Sequence, residues 1–353
     1  MSEVFSAGLL VWGQYPPMSS PVLPELPLPF TVPPRPARAR HLHLVLPYAA
    51  LAQDSCQLIL RELQLPQLDQ LLAQLAPSHV DEGSMDQLIP PHERALAHLW
   101  GLDAQSPAWA ALAQDMPRPQ PCAWMTLCHW TAGADQIRMD DPASLPLDME
   151  DAQTLHTILQ PWFAEDGLQL ELTSPGRWLV SGEPLQRLES ASLDRVLLRD
   201  VSHWMPQGPH QRTLQRLHSE VQMLLYNHRF NAERAARGLP PINAFWLHGV
   251  GQLDAEALQA ARTLHSVTPV LFVDSLRQSA LRQDWPAWKQ AWLAAEAGPV
   301  AQTLAHVQLG GTATVTFCGE QHVRSFTTQR RSWLQKIKNK ISPQRFAGLH
   351  EAL

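Results

Sequence analysis

The spacing of apolar residues is most regular between positions 209 and 251, where it predicts a long amphipathic helix. Leucine and valine recur there at the three- and four-residue spacing of one helix face, at Leu214, Leu217, Val221, Leu224 and Leu225. Polar residues fall mainly on the other sides, as they do on a helix with one face in a core. Pro209 suits the first turn, where a missing N–H costs nothing.

The same stretch predicts a second, shorter helix and then a buried strand. Asn231 suits an N-cap, and Gly238 suits the left-handed position after the last helical turn. Residues 242–247 are almost all apolar, which is typical of a strand covered on both faces. Glycines follow this strand, and in open α/β sheets ligands usually bind beyond such strand ends.

Similar patterns predict the other elements of the chain. Strands are expected at 41–46, 123–131, 136–139, 168–173, 177–180, 270–273, 304–308 and 312–317. Helices are expected at 54–63, 68–75, 91–99, 149–163 and 254–264, from about residue 286, and around residues 330–340. We therefore expect an α/β fold with a mixed or mostly parallel sheet flanked by helices, a smaller α+β subdomain and a proline-rich N-terminal arm.

The predicted division of the chain has three parts. Residues 1–40 form the arm, residues 41–120 and 206–353 form the main α/β domain, and residues 121–205 form the smaller subdomain. Prolines are too frequent in the arm for a helix or a sheet, so it should be extended, either as a solvated leader or as a strap across the domain. Pro21 and the proline three residues later also have the spacing of a ligand for an aromatic groove, which leaves a protein partner as the alternative.

Composition excludes several classes of protein. Hydrophobic residues make up 45% and charged residues 17% of the 353 residues, which is typical of a globular chain. The formal net charge of -6 argues against a dedicated nucleic-acid binder, whose surface must be basic. Apolar runs fall short of the roughly 20 residues that a membrane span needs, and the first residues lack the basic start of a secretory signal. We therefore expect a cytoplasmic protein without a membrane partner.

The sequence contains no complete catalytic, cofactor or metal motif. Its four cysteines have no CxxC spacing. His92 and Glu93 resemble the start of a zinc-binding helix, but Leu96 stands where the second histidine is required. Asp140 and Asp141 could hold Mg²⁺, but adjacent aspartates beside a turn more often cap the helix that follows. We predict neither a metal nor a cofactor.

Residues 203–251 carry a more specific pattern. Its parts are Trp204–Gly208, Glu220–Leu225, Asn231–Arg234, Gly238–Asn243 and Trp246–Gly251. This pattern resembles the RpfE-type regulatory proteins of proteobacteria, which are described as phosphoglycerate-mutase-like. The sequence departs from that family at Arg229, where proline is expected, and at His248, where an aromatic or small residue is expected.

The segment from Asn227 to Gly251 is also similar to the archaeal type of cofactor-independent phosphoglycerate mutase, a member of the alkaline phosphatase superfamily. That resemblance implies phosphoryl transfer through a serine nucleophile between two divalent metals, which need clustered aspartate and histidine ligands. The chain lacks such a ligand set and such a serine. The resemblance therefore implies a degenerate scaffold without catalytic residues.

Such a scaffold can keep a binding crevice for a small anion. Arginine clamps a phosphate or carboxylate, and glycine N–H groups allow an anion to approach closely. The candidate ligand-binding residues are His228, Asn231, Arg234, Arg237, Asn243, Trp246, His248, Gly249 and Gly251. The same residues have a structural interpretation, in which Asn231 caps a helix, Asn243 binds loop backbone and Arg234 pairs with Glu220 or Glu233.

We predict a non-catalytic regulatory or ligand-binding protein that binds a small phosphorylated or carboxylated metabolite. One alternative is a phosphoryl-transfer enzyme, either a mutase or a phosphatase, with an unrecognised metal site. The other alternative is a protein–protein adaptor that uses the proline-rich arm and the basic terminal helix.

Overall fold

The computed structural model describes residues 25–33, 40–328, 345–350 and 353. The predicted basic helix around residues 330–340 and the proline pair that begins at Pro21 lie outside these ranges. Within them, the strands are β1 His41–Leu46, β2 Leu75–Glu82, β3 Cys122–Cys128, β4 Trp130–Ala132, β5 Ile137–Met139, β6 Gln169–Ser174, β7 Arg177–Ser181, β8 Ala244–Gly251, β9 Val270–Phe272, β10 Thr312–Cys318 and β11 His322–Thr328.

The strands form a five-stranded and a four-stranded sheet, and β4 pairs with β5. Helices pack around them. They are α1 Asp54–Glu62, α2 Pro66–Leu72, α3 Pro91–Leu99, α4 Trp109–Leu112, α5 Met149–Glu165, α6 Leu193–Val196, α7 Gln211–Tyr226, α8 Arg229–Ala236, α9 Ala255–Val267, α10 Asp274–Leu281, α11 Trp285–Ala295 and α12 Ala301–Gln308. Short 3-10 turns lie at Pro142–Ser144, Glu183–Leu185, Ser202–Trp204 and Phe346–Gly348.

A five-stranded mixed sheet forms one half of the molecule. Its strand order is β2-β11-β10-β1-β9. β1 is parallel to β10 and to β9, whereas β11 is antiparallel to β10 and to β2. This sheet, with helices packed against it, confirms the α/β fold class.

A four-stranded sheet forms the other half, in the order β6-β7-β3-β8, and β3 is antiparallel to both of its neighbours. β8 is buried along almost its whole length, as its apolar run predicts. However, β8 pairs with β3, which belongs to the predicted smaller subdomain, whereas the predicted division places residues 206–353 in the main domain. The local pattern of a strand predicts its burial but does not specify the sheet that it joins.

One further prediction about elements is wrong, and two strands were not predicted. The expected strand at 304–308 is wrong, because α12 covers it; a π-helical turn at Glu296–Val300 carries the helix past Gly298 and the following proline. β2 was not predicted, since it is an exposed edge strand with a single buried residue. β11 was not predicted either, because a bulge between Ser325 and Phe326 breaks its alternation.

A shared core joins the two sheets. It contains Val45 and Val270 from the five-stranded sheet and Trp124 and Leu179 from the four-stranded sheet. Phe30 lies in the same core and belongs to residues 25–33, which we call the strap. The strap has no helix or strand, as the proline-rich pattern predicts. It therefore links both halves of the molecule.

None of the helices in the described part of the chain combines the length and the apolar character that a membrane span needs.

Candidate functional site

Buried charged and polar side chains collect at the carboxyl edge of the five-stranded sheet. β1, β9 and β10 run parallel, so the residues after these strands meet at one edge, where α/β sheets usually bind ligands. Helices α3, α6 and α10 add side chains there. We call this set the edge cluster; its members are at most 2% exposed and are Tyr48, His92, Glu93, Asp194, Arg195 and Arg277.

An ion pair between Asp194 and Arg277 forms the centre of the edge cluster. Arg277 donates from Nε and from a terminal nitrogen to the two carboxylate oxygens of Asp194, each at 2.7 Å. Burial opposes ionisation of Asp194, but the Arg277 guanidinium and the nearby His92 hold the pKa of that carboxyl well below its usual range. Both oxygens of Asp194 are therefore committed to a protein cation.

Glu93 lies in the same cluster and has no cationic partner of its own among the described residues. Its carboxyl accepts a 2.8 Å hydrogen bond from Trp109 Nε1 and another from the Ser192 hydroxyl. Burial, followed by the negative charge of Asp194, raises the pKa of Glu93 above its usual range. Glu93 is thus the member of the cluster whose protonation state is most sensitive near neutral pH.

His92, Glu93 and Asp194 form a group that could hold a metal ion by residue type. One ligand atom from each lies within 4.8 Å of the others. His92 Nε2 is 3.1 Å from an Asp194 oxygen, although neither ring nitrogen has a partner at hydrogen-bond geometry among the described residues. Histidine and carboxylates of this kind bind Zn²⁺ in catalytic sites with three protein ligands.

The charge around this group disfavours a cation. Arg277 places a fixed positive charge on the Asp194 carboxylate. Arg195 adds a second guanidinium, which has no carboxylate partner among the described residues; it donates only to the backbone oxygens of Glu320 at 3.2 Å and Ile89 at 3.5 Å. The resemblance to phosphoglycerate mutases implies two cations, and the described residues here offer too few ligands for a pair.

A crevice of about 810 Å³ opens between the strap, α10 and the four-stranded sheet. Most binding pockets for small molecules have volumes of this order. Its polar lining includes Thr126 on β3, Ser174 and Arg177 on the β6–β7 hairpin, and Asp274 at the start of α10. Because Asp274 also accepts a 3.1 Å hydrogen bond from Arg277, the wall of the crevice is continuous with the edge cluster.

Arg177 is the guanidinium on this wall. It lies 4.4 Å from the centre of the Trp124 ring and donates a 2.8 Å hydrogen bond to the Leu28 carbonyl. Among the described residues, its remaining N–H groups have no hydrogen-bond acceptor. Burial lowers the pKa of Arg177, which means that its charge is partly stripped of water.

The two arginines predicted to bind a ligand, buried Arg234 and exposed Arg237, both pair with Asp151. Arg234 is fully buried and donates to the Pro240 carbonyl at 3.0 Å, to the Pro146 carbonyl at 2.9 Å and to Asp151 at 3.1 Å. Arg237 donates to both oxygens of the same Asp151. The expected partners Glu220 and Glu233 are wrong, because the partner carboxylate comes from α5.

The predicted asparagines also bind backbone groups. Asn231 donates to the carbonyls of Leu225 and Ile242 and accepts from the Ile242 amide. The N-cap of α8 is His228 instead, whose ring nitrogen accepts from the Phe230 amide at 3.1 Å. The Trp130 amide donates to Asn243 Oδ1 at 2.7 Å, and Asn243 Nδ2 donates to the Trp130 carbonyl at 2.9 Å. These bonds to backbone confirm the structural interpretation of Asn243.

The remaining predicted residues lie on β8. Trp246 donates a 2.9 Å hydrogen bond to the Ala191 carbonyl, and His248 Nε2 lies 3.1 Å from the Thr126 hydroxyl. A Cβ on Gly249 would lie 3.0 Å from the Trp109 Cβ, and one on Gly251 would lie 2.4 Å from the Ala108 Cβ. These glycines therefore allow Trp109 of α4, and Ala108 just before it, to pack closely on the strand.

Two of the predicted residues bond to residues that line the crevice: His248 to Thr126, and Arg234 to the Pro146 carbonyl. None of the predicted residues is itself part of the lining, so the role of the set in ligand binding stays a prediction. Sequence reasoning missed Arg177 and the edge cluster. The adjacent His92 and Glu93 were a signal for the cluster, but Asp194 is about 100 positions away, and no local spacing connects them.

Comparisons with known proteins give likeness in architecture alone. No protein-family model matches the chain, and no curated protein is similar to it. Among solved structures, the PH0037 protein from Pyrococcus horikoshii is similar with a TM-score of 0.43 and 12% identity, over 85% of this chain and 92% of that one. The cofactor-independent phosphoglycerate mutase from Thermoplasma acidophilum DSM 1728 is similar with a TM-score of 0.32 and 13% identity, over 85% and 95%. At these values neither likeness transfers an activity or a ligand to this chain.

Proposed function

We propose that this protein is a non-catalytic, regulatory ligand-binding protein, and that its crevice takes a small phosphorylated or carboxylated metabolite. The observation that carries this proposal is Arg177, a partly dehydrated guanidinium on the wall of an 810 Å³ crevice. A guanidinium with unused N–H groups binds a phosphate or carboxylate in the bidentate manner. The Thr126 and Ser174 hydroxyls bond to His248 and to the Arg177 carbonyl, and their oxygens can still accept from hydroxyl groups of the ligand.

The ion pair of the edge cluster supports the absence of catalysis. Phosphoryl transfer on metals needs carboxylates that are free to bind cations. Arg277 instead neutralises Asp194 from within the protein, at 2.7 Å to each oxygen. The binding site is therefore proposed in the crevice, and the edge cluster is proposed to support its wall.

A thermal-shift screen tests this function. The probes are 3-phosphoglycerate and citrate, with glycerol as the uncharged control. A ligand at 100 times its Kd stabilises a protein by about 2.7 kcal/mol, which is a readily measured shift in Tm. We expect both anions to raise the Tm of wild type and Arg177→Gln to reduce that shift to half or less, because charge-assisted hydrogen bonds contribute about 1.5–3 kcal/mol.

The matched control is Arg118→Gln, which removes a guanidinium paired with Glu171 outside the crevice. It should keep the wild-type response. Equal anion-induced shifts in wild type and Arg177→Gln would show that the anion binds elsewhere, and no shift with any anion would refute the proposal.

The metal-ligand group favours a second candidate function, a metal-dependent phosphatase or mutase. His92, Glu93 and Asp194 would hold one cation, which would activate a water molecule or polarise a phosphate. This candidate predicts about one Zn²⁺ or Mn²⁺ retained per chain after dialysis, and release of phosphate that is lost in Glu93→Gln. Protein that retains no metal after dialysis and releases no phosphate when Zn²⁺ or Mn²⁺ is added would exclude it.

A further inference from the structure

The strap is held through its backbone carbonyls by side chains from four elements of the protein, β3, β7, α9 and α10. Successive carbonyl groups each accept from at least one side chain. The contacts are Arg277 and Gln278 to Leu26 at 3.2 and 3.0 Å, Arg277 to Pro27 at 3.0 Å, Arg177 to Leu28 at 2.8 Å and Trp124 to Pro29 at 3.0 Å. His265 Nε2 lies 2.6 Å from the next bonded carbonyl, that of Thr31.

These contacts make the groove under the strap rich in donors. Arginine guanidinium and tryptophan N–H groups donate and cannot accept. One backbone amide of the strap is satisfied by a side chain, that of Leu26, which donates to Gln278 Oε1 at 2.9 Å. Pro27 and Pro29 have no N–H to satisfy. The groove is therefore complementary to an extended segment that has carbonyls but few amide donors.

Two apolar anchors fix the register of the strap. Phe30 packs between Trp100, Trp109 and Phe272, with ring centroids 5.7, 5.1 and 5.6 Å away. Leu26, four residues earlier, is 2% exposed in the core of the five-stranded sheet. Donors that hold consecutive carbonyls and an aromatic pocket at one end are features of sites that bind proline-rich peptides.

We propose that this groove is a peptide-recognition site and that the strap is its tethered occupant. The partner is a segment of another protein that is extended and has an apolar residue followed by Pro-x-Pro-aromatic, as residues 26–30 do. Within the described residues the strap pairs with no strand, so a peptide can replace it without breaking a sheet. This proposal goes beyond metabolite binding and does not depend on it.

A fluorescent peptide with the sequence of residues 26–32 tests the proposal by anisotropy against the full-length chain. The tethered strap competes at an effective concentration in the millimolar range, so wild type should bind the peptide weakly. Phe30→Ala removes the anchor of the strap, and we expect this variant to bind the peptide at least tenfold more tightly than wild type.

Two altered peptides probe the recognition chemistry. A peptide with alanine in place of its phenylalanine should lose binding to Phe30→Ala protein. A peptide with alanine in place of both prolines should bind at least threefold more weakly, because it carries two extra N–H groups and is less extended before binding.

Leu26→Ala is the second weakened variant, and it removes a smaller anchor in case Phe30→Ala does not fold. Exposed Leu309→Ala is the matched control and should behave like wild type. The proposal is overturned if a variant with the wild-type circular dichroism spectrum does not bind the peptide. It is also overturned if the peptide without phenylalanine binds equally well. If the peptide does not bind but anions still raise the Tm, the peptide-recognition proposal is refuted and the proposed metabolite site is not.

Discussion

His218 is a histidine that this protein buries in its neutral form. The ring stacks 4.0 Å from Phe245 and 5.2 Å from Trp130, and neither nitrogen has a hydrogen-bond partner among the described residues. Burial lowers the pKa of His218 to about 3. Burial and the Arg177 charge lower the pKa of His248 to about 3 as well. Each of these histidines links stability to pH.

His218→Phe should reduce the acid sensitivity of the fold. Below pH 6.5 the His218 ring takes up a proton in the unfolded chain, whereas in the folded chain it stays neutral down to about pH 3. The free energy of unfolding therefore decreases as the pH falls from 6.5 to about 3. The loss is about 1.4 kcal/mol per pH unit for each such histidine. Urea unfolding at pH 6.5 and 4.5 should show a smaller loss in the variant, by about 2–3 kcal/mol. Exposed His203→Phe is the control, and an unchanged slope in His218→Phe would contradict this account.

Glu93→Gln should have the opposite dependence on pH. Because the pKa of Glu93 is raised, this carboxyl keeps its proton above pH 4.5 in the folded chain but loses it in the unfolded chain. The free energy of unfolding of wild type therefore decreases as the pH rises from 4.5 through the pKa of Glu93 in the folded chain. The side-chain amide of glutamine carries no charge. It keeps an oxygen that can accept from Trp109 and an N–H group that can donate to Ser192. The difference in unfolding free energy between variant and wild type should therefore move in favour of the variant between pH 5 and 8. A difference that does not change with pH would show that Glu93 is ionised throughout.

At the scale of elements, the ion pair of Asp194 and Arg277 joins α6 to α10 and, through Arg277, to the strap. Arg277→Met should cost about 3–5 kcal/mol of unfolding free energy, because it leaves the Asp194 carboxylate buried without a counter-charge. The double variant Asp194→Asn with Arg277→Met should recover at least about 1 kcal/mol of that loss. Chemical denaturation of both proteins measures the difference. A double variant less stable than Arg277→Met would mean that Asp194 is stabilised by groups other than Arg277.

Local pattern predicted most elements of this fold, because it reports which face of a helix or strand is buried. α7 buries Leu214, Leu217, Val221 and Leu225, all of which belong to the predicted apolar face. The local pattern does not predict which elements contact one another. Asp151, the partner of Arg234 and Arg237, lies about 80 positions earlier on α5, and nothing near α8 points to it.

The edge cluster was difficult to predict for the same reason. Its acidic and basic members come from α3, α6 and α10, and they meet only after the chain has folded. Arginine rather than lysine carries most of the basic charge in this sequence. Arg94, Arg195, Arg234 and Arg277 are all fully buried, so this composition reflects internal ion pairs and backbone contacts as well as surface charge.

In the whole molecule, the strap closes one side of a crevice between α10 and the four-stranded sheet. The five-stranded sheet contributes Asp274 through α10, and the four-stranded sheet contributes Thr126 and Arg177. Strap residues form much of the remaining wall. A ligand in this crevice would contact both halves of the molecule and the strap, so its binding should be linked to the way these three parts are held together.

Isothermal titration of 3-phosphoglycerate into metal-free protein tests this account most directly. We predict that wild type binds the ligand and that neither protein releases phosphate. Arg177→Gln should bind at least about tenfold more weakly, because the loss of a charge-assisted contact costs about 1.4 kcal/mol or more. Equal affinity in the two proteins, no binding to wild type, or phosphate release on addition of Mn²⁺ or Zn²⁺ would contradict it.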